Sequence, residues 1–82
     1  MWIVYILLCK DGSLYTGVTN DLAKRLAAHK GGKGGSYTRS HPPKKIAYRE
    51  RVGTRGDALR REAAIKRLSR AQKLQLIRFH KA

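Results

Sequence analysis

Glu62 raises the sharpest chemical question in this chain. A helix through the region puts Leu59, Glu62 and Ile65 on one face, because residues three apart are neighbours on a helical surface. A carboxylate on an apolar face is costly unless something pairs with it. A neighbouring arginine is one suitable partner. A hard divalent cation such as Mg²⁺ is the other. Mg²⁺ typically takes one or two carboxylates and completes its shell with water and substrate phosphate oxygens. A lone carboxylate suits a one-metal site, since two-metal sites need a richer acidic cluster.

Three further groups have suitable chemistry. Arg25 and His29 are an i, i+4 pair and face the same way on a helix. Arginine offers a planar fork of donors to a phosphate, and histidine can move a proton. A solvated basic face has the same pattern, so the pair alone decides nothing. Tyr5 and Tyr15 stand on either side of a short turn, where paired strands can place both rings on one sheet face. Two packing tyrosines would look the same. A phenol with a reference pKa of about 10 needs a shift of about three units, roughly 4 kcal/mol, to act as a base at neutral pH. A cation and Arg25 would both act in that direction.

The elements that must position these residues follow from pattern. Trp2 to Cys9 is apolar and rich in β-formers, and Leu14 to Thr19 reads as a returning strand. Between them, Lys10-Asp11-Gly12-Ser13 carries the Asp-Gly hairpin signal. Asn20 or Thr19 can cap a helix with Asp21 in its first turn, running through Leu22, Arg25, Leu26 and His29 to Gly31-Gly32. Gly31 to Pro43 reads as a loop with four glycines, Lys33, Arg39 and His41, mobile before a partner binds. Lys44 to Val52 alternates as a third strand through Ile46, Tyr48 and Val52. Thr54 to Asp57 is a capping signal, in which Asp57 is an alternative cap, for a helix through Leu59, Ala63, Ile65 and Leu68. Ser69-Arg70-Ala71-Gln72 is a second capping box, opening a last helix docked by Leu74, Ile77 and Phe79. The order β-β-α-β-α-α implies an α+β fold, a small three-stranded antiparallel sheet flanked by helices, with residues 1–82 as one domain.

Composition points to the partner. Nineteen Lys and Arg against five acids give a formal charge of +14 in 82 residues. Such charge repels itself, and a polyanion relieves it. Nucleic acid is the expected partner, with counterion release supplying affinity. A merely solvated basic surface is the alternative. No run of about 20 apolar residues argues for a membrane span. Cys9 stands alone in an apolar run, as a core residue in a reducing, cytoplasmic setting. Walker-type phosphate loops, Gly-x-Ser-x-Gly elbows and paired metal-binding histidines are absent. His41 and His80 show no partner pattern.

Taken together, Val4-Tyr5-Ile6, Tyr15-Thr16-Gly17, the stretch from Val18 to His29 and the segment from Leu59 to Ser69 resemble the GIY-YIG nuclease superfamily, and its small stand-alone bacterial members most. The likeness spans about Trp2 to Ile77. The first motif has Ile3 and Val4 where its glycine usually stands, and with Asn20 the only asparagine, the family's late Asn position is vacant or falls to Gln72 or Lys73.

The resemblance implies an endonuclease that hydrolyses DNA phosphodiesters, with RNA a second possible substrate and DNA repair a plausible setting. Glu62 would hold one Mg²⁺ or Mn²⁺. Tyr5 or Tyr15 would be the general base, with Tyr5 favoured. Arg25 would stabilise the transition state and His29 would assist proton transfer. Lys24, Lys33, Arg39, Lys44 and Lys66 are the expected backbone contacts. So short a chain has little room for base readout, so weak sequence specificity and a structured or single-stranded substrate are expected. A catalytically weak binding module and a subunit activated by a protein partner are the competing readings.

Overall fold

The computed structural model describes residues 1–31 and 40–79. Strand β1 (Trp2–Cys9) pairs antiparallel with β2 (Leu14–Thr19) on one side and β3 (Pro43–Val52) on the other, giving the order β2-β1-β3. Helix α1 (Leu22–Lys30) follows β2, and α2 (Arg55–Lys66) and α3 (Arg70–Phe79) follow β3. The element order and α+β class are those expected from the sequence.

Local chemistry explains the turns. Gly12 has φ +87°, which a side chain would strain. Asp11 Oδ1 accepts from the Ser13 N–H at 3.0 Å and from its hydroxyl at 2.6 Å, closing the hairpin. Asp21 itself caps α1, accepting from the Lys24 N–H at 3.1 Å, while Thr19 Oγ1 accepts from the Asp21 N–H. The cap is therefore neither Asn20 nor Thr19, because the short Asp21 carboxylate reaches the Lys24 amide in the first turn. Thr54 rather than Asp57 caps α2, accepting from the Asp57 N–H at 3.1 Å. The last helix opens on a reciprocal box: Gln72 N–H donates to Ser69 Oγ and Ser69 N–H to Gln72 Oε1.

The two sheet faces have different neighbours. Val4 and Ile6 of β1 share a core with Tyr48 of β3 and with Ala58 and Ile65 of α2, with Leu76 and Ile77 of α3 packed against it. Full burial of Ile65 contributes roughly 1.5–3 kcal/mol. The alternate residues, Tyr5 and Leu7, face the other way, toward α1. Cys9 is buried and free.

Three packing expectations need correction. The inner stripe of α2 is Ala58–Ile65; Leu59 is 38% exposed and Ala63 lies outside, because small Ala58 lets the helix seat closely. Helix α2 ends at Lys66, before Leu68. Leu76 and Ile77 dock α3, leaving Leu74 and Phe79 exposed. Pro43 belongs to β3. Gly32, Lys33, Arg39 and His80 lie outside the described residues.

Candidate active site

Register brings the two phenols together. Tyr5 lies opposite Gly17 and Leu7 opposite Tyr15, so Tyr5 and Tyr15 are diagonal neighbours on one face, ring centroids 6.4 Å apart. The Tyr5 ring lies over Gly17 so closely that a Cβ there would stand 2.6 Å from its hydroxyl. Only glycine leaves that space, which explains the residue type in Tyr15-Thr16-Gly17.

Helix α1 supplies the next two groups, as the i, i+4 spacing requires. His29 is 1% exposed and sits edge-on to both phenols, with centroids 6.0 Å from Tyr5 and 5.2 Å from Tyr15. Its Nε2 is 2.9 Å from the Tyr5 hydroxyl. Burial first, and the Arg25 charge second, push the imidazole's pKa below its ordinary value and keep the ring neutral. On a neutral ring Nε2 can be the nitrogen that accepts the phenol's proton.

Arg25 and Glu62 both act on that phenol. Burial pushes the Tyr5 pKa above its ordinary value, the nearby Arg25 guanidinium pulls it down, and the Tyr15 and Glu62 charges push it up. The expected lowering by Arg25 is present, yet burial outweighs it. Arg25 is held above its ordinary value, chiefly by its hydrogen bond with Tyr5, against the opposing effect of burial. Thus Tyr5, Tyr15, Arg25 and His29 come together, and the Glu62 charge on α2 acts on Tyr5. Tyr5 and His29 form the sealed floor, while Tyr15, Arg25 and Glu62 are partly or fully open.

Glu62 flanks the buried stripe of α2, with its side chain 20% exposed and Lys66 Nζ 3.4 Å away. Arg61 flanks the opposite side of the stripe and pairs with Glu50 at 2.9 Å, while the Tyr48 hydroxyl donates to Glu50 at 2.7 Å. Among the described residues no group of three His, Cys, Asp or Glu could enclose a metal. A single carboxylate at an open rim suits an ion that keeps most of its water and takes phosphate oxygens. Lys66 is more than half exposed, so solvent screens its side of the pair and an incoming cation can take its place. The donor set therefore fits one hard cation.

A cavity of about 250 Å³ lies beside Arg25, lined by Thr19, Asn20, Asp21, Lys24 and Ala28. Lys24 and Asn20 thus join the site region. Gln72 is committed to the α3 cap, and Lys73 is half-buried on that helix. Lys66 pairs with Glu62, and Lys44, the second residue of β3, is five residues from the position opposite Tyr5, about 16 Å along the strand. A larger cleft of about 500 Å³, lined by Tyr48, Arg61, Leu68, Gln72, Leu76 and Phe79, is on the α2 side of the sheet. His41, without a partner pattern in the sequence, has its Nε2 3.6 Å from Asp11.

Comparison with known proteins finds relatives over most of the chain. Residues 1–75 match the family model of the GIY-YIG catalytic domain. A UPF0213 protein of Clostridium perfringens is 55% identical over 74 residues, covering 90% of this chain and 80% of that protein. A UPF0213 protein of Staphylococcus saprophyticus is 47% identical over 74 residues, covering 90% of each. The solution NMR structure of the UPF0213 protein BH0048 from Bacillus halodurans shares 44% identity at a TM-score of 0.59, covering 94% of this chain and 83% of that one. GIY-YIG domains are those of endonucleases, which bind nucleic acid and generally use divalent metals. With a family model matching most of its length and relatives this similar, the chain belongs to the GIY-YIG family.

Proposed function

We propose that this protein is a metal-dependent endonuclease that hydrolyses DNA phosphodiesters with one Mg²⁺ or Mn²⁺, and that residues 1–82 act as one domain. The observation that carries this reading is the Tyr5 hydroxyl, 2.9 Å from the buried His29 Nε2, hydrogen-bonded with Arg25 and subject to the Glu62 charge. A basic module that only coats nucleic acid needs no such relay.

Tyr5 is the general base, working through His29. Its raised pKa disfavours a free phenolate, so the proton must move on. As water attacks phosphorus, Tyr5 takes the water's proton and passes its own to His29 Nε2. The 3′-oxygen leaves and picks up a proton from solvent, giving a 5′-phosphate and a 3′-hydroxyl. Tyr15 orients the water or a phosphate oxygen. Arg25 donates to the phosphoryl oxygens as charge develops there. Glu62 would hold the cation, which supplies Lewis-acid stabilisation of the phosphate when bound. Lys24 contacts the neighbouring backbone, and a protein partner can supply the substrate choice that so small a surface lacks.

The test is a cleavage panel of duplex, single-stranded, flap and branched DNA, and of RNA, with Mg²⁺, Mn²⁺ or EDTA. Metal-dependent nicking of at least one DNA, with preference for structured or single-stranded forms, is expected. Salt-sensitive binding without cleavage, even after addition of cell extract, would favour the binding module.

A further inference from the structure

Resting on the nucleic-acid reading above, we infer that Arg49 and Arg51 of β3 form a second phosphate-binding site, holding the substrate backbone beside the scissile phosphate. Arg49 lies directly opposite Tyr5, and Arg51 directly opposite Ile3. Opposed residues share a face, with Cβ atoms roughly 4.5–5.5 Å apart. Alternation along β3 turns Tyr48, Glu50 and Val52 toward α2 and turns the two arginines to the Tyr5 face, where both are exposed. The same cross-strand row runs from Arg51 through Ile3 to Thr19, which lines the cavity beside Arg25 and Lys24. Guanidiniums therefore approach Tyr5 from two elements, Arg25 from helix α1 and the arginine pair from edge strand β3.

Among the described residues no carboxylate forms an ion pair with Arg49 or Arg51. The chain has five acids, all described. Asp11 is engaged with Ser13 and His41, Asp21 caps α1, Glu50 pairs with Arg61, Asp57 with Arg60, and Glu62 with Lys66. Arg49 and Arg51, two residues apart on a strand and so about 6.6 Å from each other, repel. A backbone that presents successive phosphates relieves both charges, and an arginine fork suits each one.

The test measures binding of a labelled DNA duplex in EDTA across 50–200 mM salt, so that it does not depend on cleavage. Removing two phosphate contacts in Arg49→Ala/Arg51→Ala should flatten the log–log salt slope by about 1.8, so that the fourfold rise in salt costs about tenfold less affinity. Arg49→Lys/Arg51→Lys should keep most of the slope and shows that the strand tolerates substitution. Arg67→Ala/Arg70→Ala removes equal charge from exposed positions elsewhere and should change the slope far less. An unchanged slope in the alanine pair, or an equal change in the Arg67/Arg70 control, overturns the inference. Cleavage without this slope change would defeat the site alone; absence of DNA binding would defeat both readings.

Discussion

Substituting Gly17 by alanine tests the geometry most locally. The added Cβ would meet Tyr5 Oη at 2.6 Å, Cζ at 2.7 Å and Cε1 at 3.2 Å, where ordinary contact begins near 3.4 Å. The phenol must therefore retreat by about 0.8 Å, and misplacement near 1 Å can cost about 10²-fold in rate. Its 2.9 Å bond to His29 would stretch or break. Overpacking costs roughly 1–3 kcal/mol. Against this, alanine loses less backbone entropy on folding, about 0.5–1 kcal/mol. The net expectation is a protein about 1–2 kcal/mol less stable, still folded, and roughly a hundredfold slower in nicking DNA. Urea unfolding and single-turnover cleavage with Mn²⁺ measure both. A Gly17→Ala protein with wild-type rate within threefold would refute the relay through the Tyr5 hydroxyl.

The neutral state of His29 has a pH signature. Its folded pKa is below its unfolded value of about 6.5, so the unfolded chain binds the extra proton and stability falls as pH drops below that value. Urea midpoints at pH 5 and 7.5 should separate in the wild type and separate less in His29→Gln; equal separations would contradict the assignment. On the far flank of α2, Arg61 is 39% exposed, so Arg61→Ala should cost about 1 kcal/mol or less through its ion pair with Glu50. Tyr48→Phe removes the hydroxyl that donates to Glu50 and should cost about 0.5–1.5 kcal/mol. Thermal or urea denaturation reads both, and losses well above these would mean that this network does more than seat the helix.

Much of the frame was legible because it rests on local rules. The Asp-Gly turn, the Ser69–Gln72 box and the i, i+4 relation of Arg25 and His29 each involve a few adjacent residues. The convergence of Tyr5 and Tyr15 followed from strand alternation once the hairpin was fixed. Long-range packing was less legible. Periodicity placed Ile77 correctly but also favoured Leu59, Leu74 and Phe79 as buried, where helix rotation against the sheet chose Ala58 and Leu76. Glu62 was singled out by the face it was thought to share with Leu59, and it stands instead at the margin of the Ala58–Ile65 stripe. Arg49 and Arg51 escaped notice because nothing local distinguishes them from other basic residues. Their significance depends on the register between β1 and β3, and a clue lay only in the alternation of Arg49 and Arg51 with the inward Tyr48, Glu50 and Val52.

Cleavage at the Tyr5–His29 floor requires Glu62 to couple a divalent ion to the reaction. Glu62→Gln keeps the side chain's shape and removes its charge. Mn²⁺ titration by calorimetry in the presence of a non-hydrolysable DNA, run beside DNA nicking, should show the wild type binding one ion and cutting, and the variant doing neither while still binding DNA. A folded Glu62→Gln protein that cuts DNA at the wild-type rate with the same Mn²⁺ dependence would contradict it.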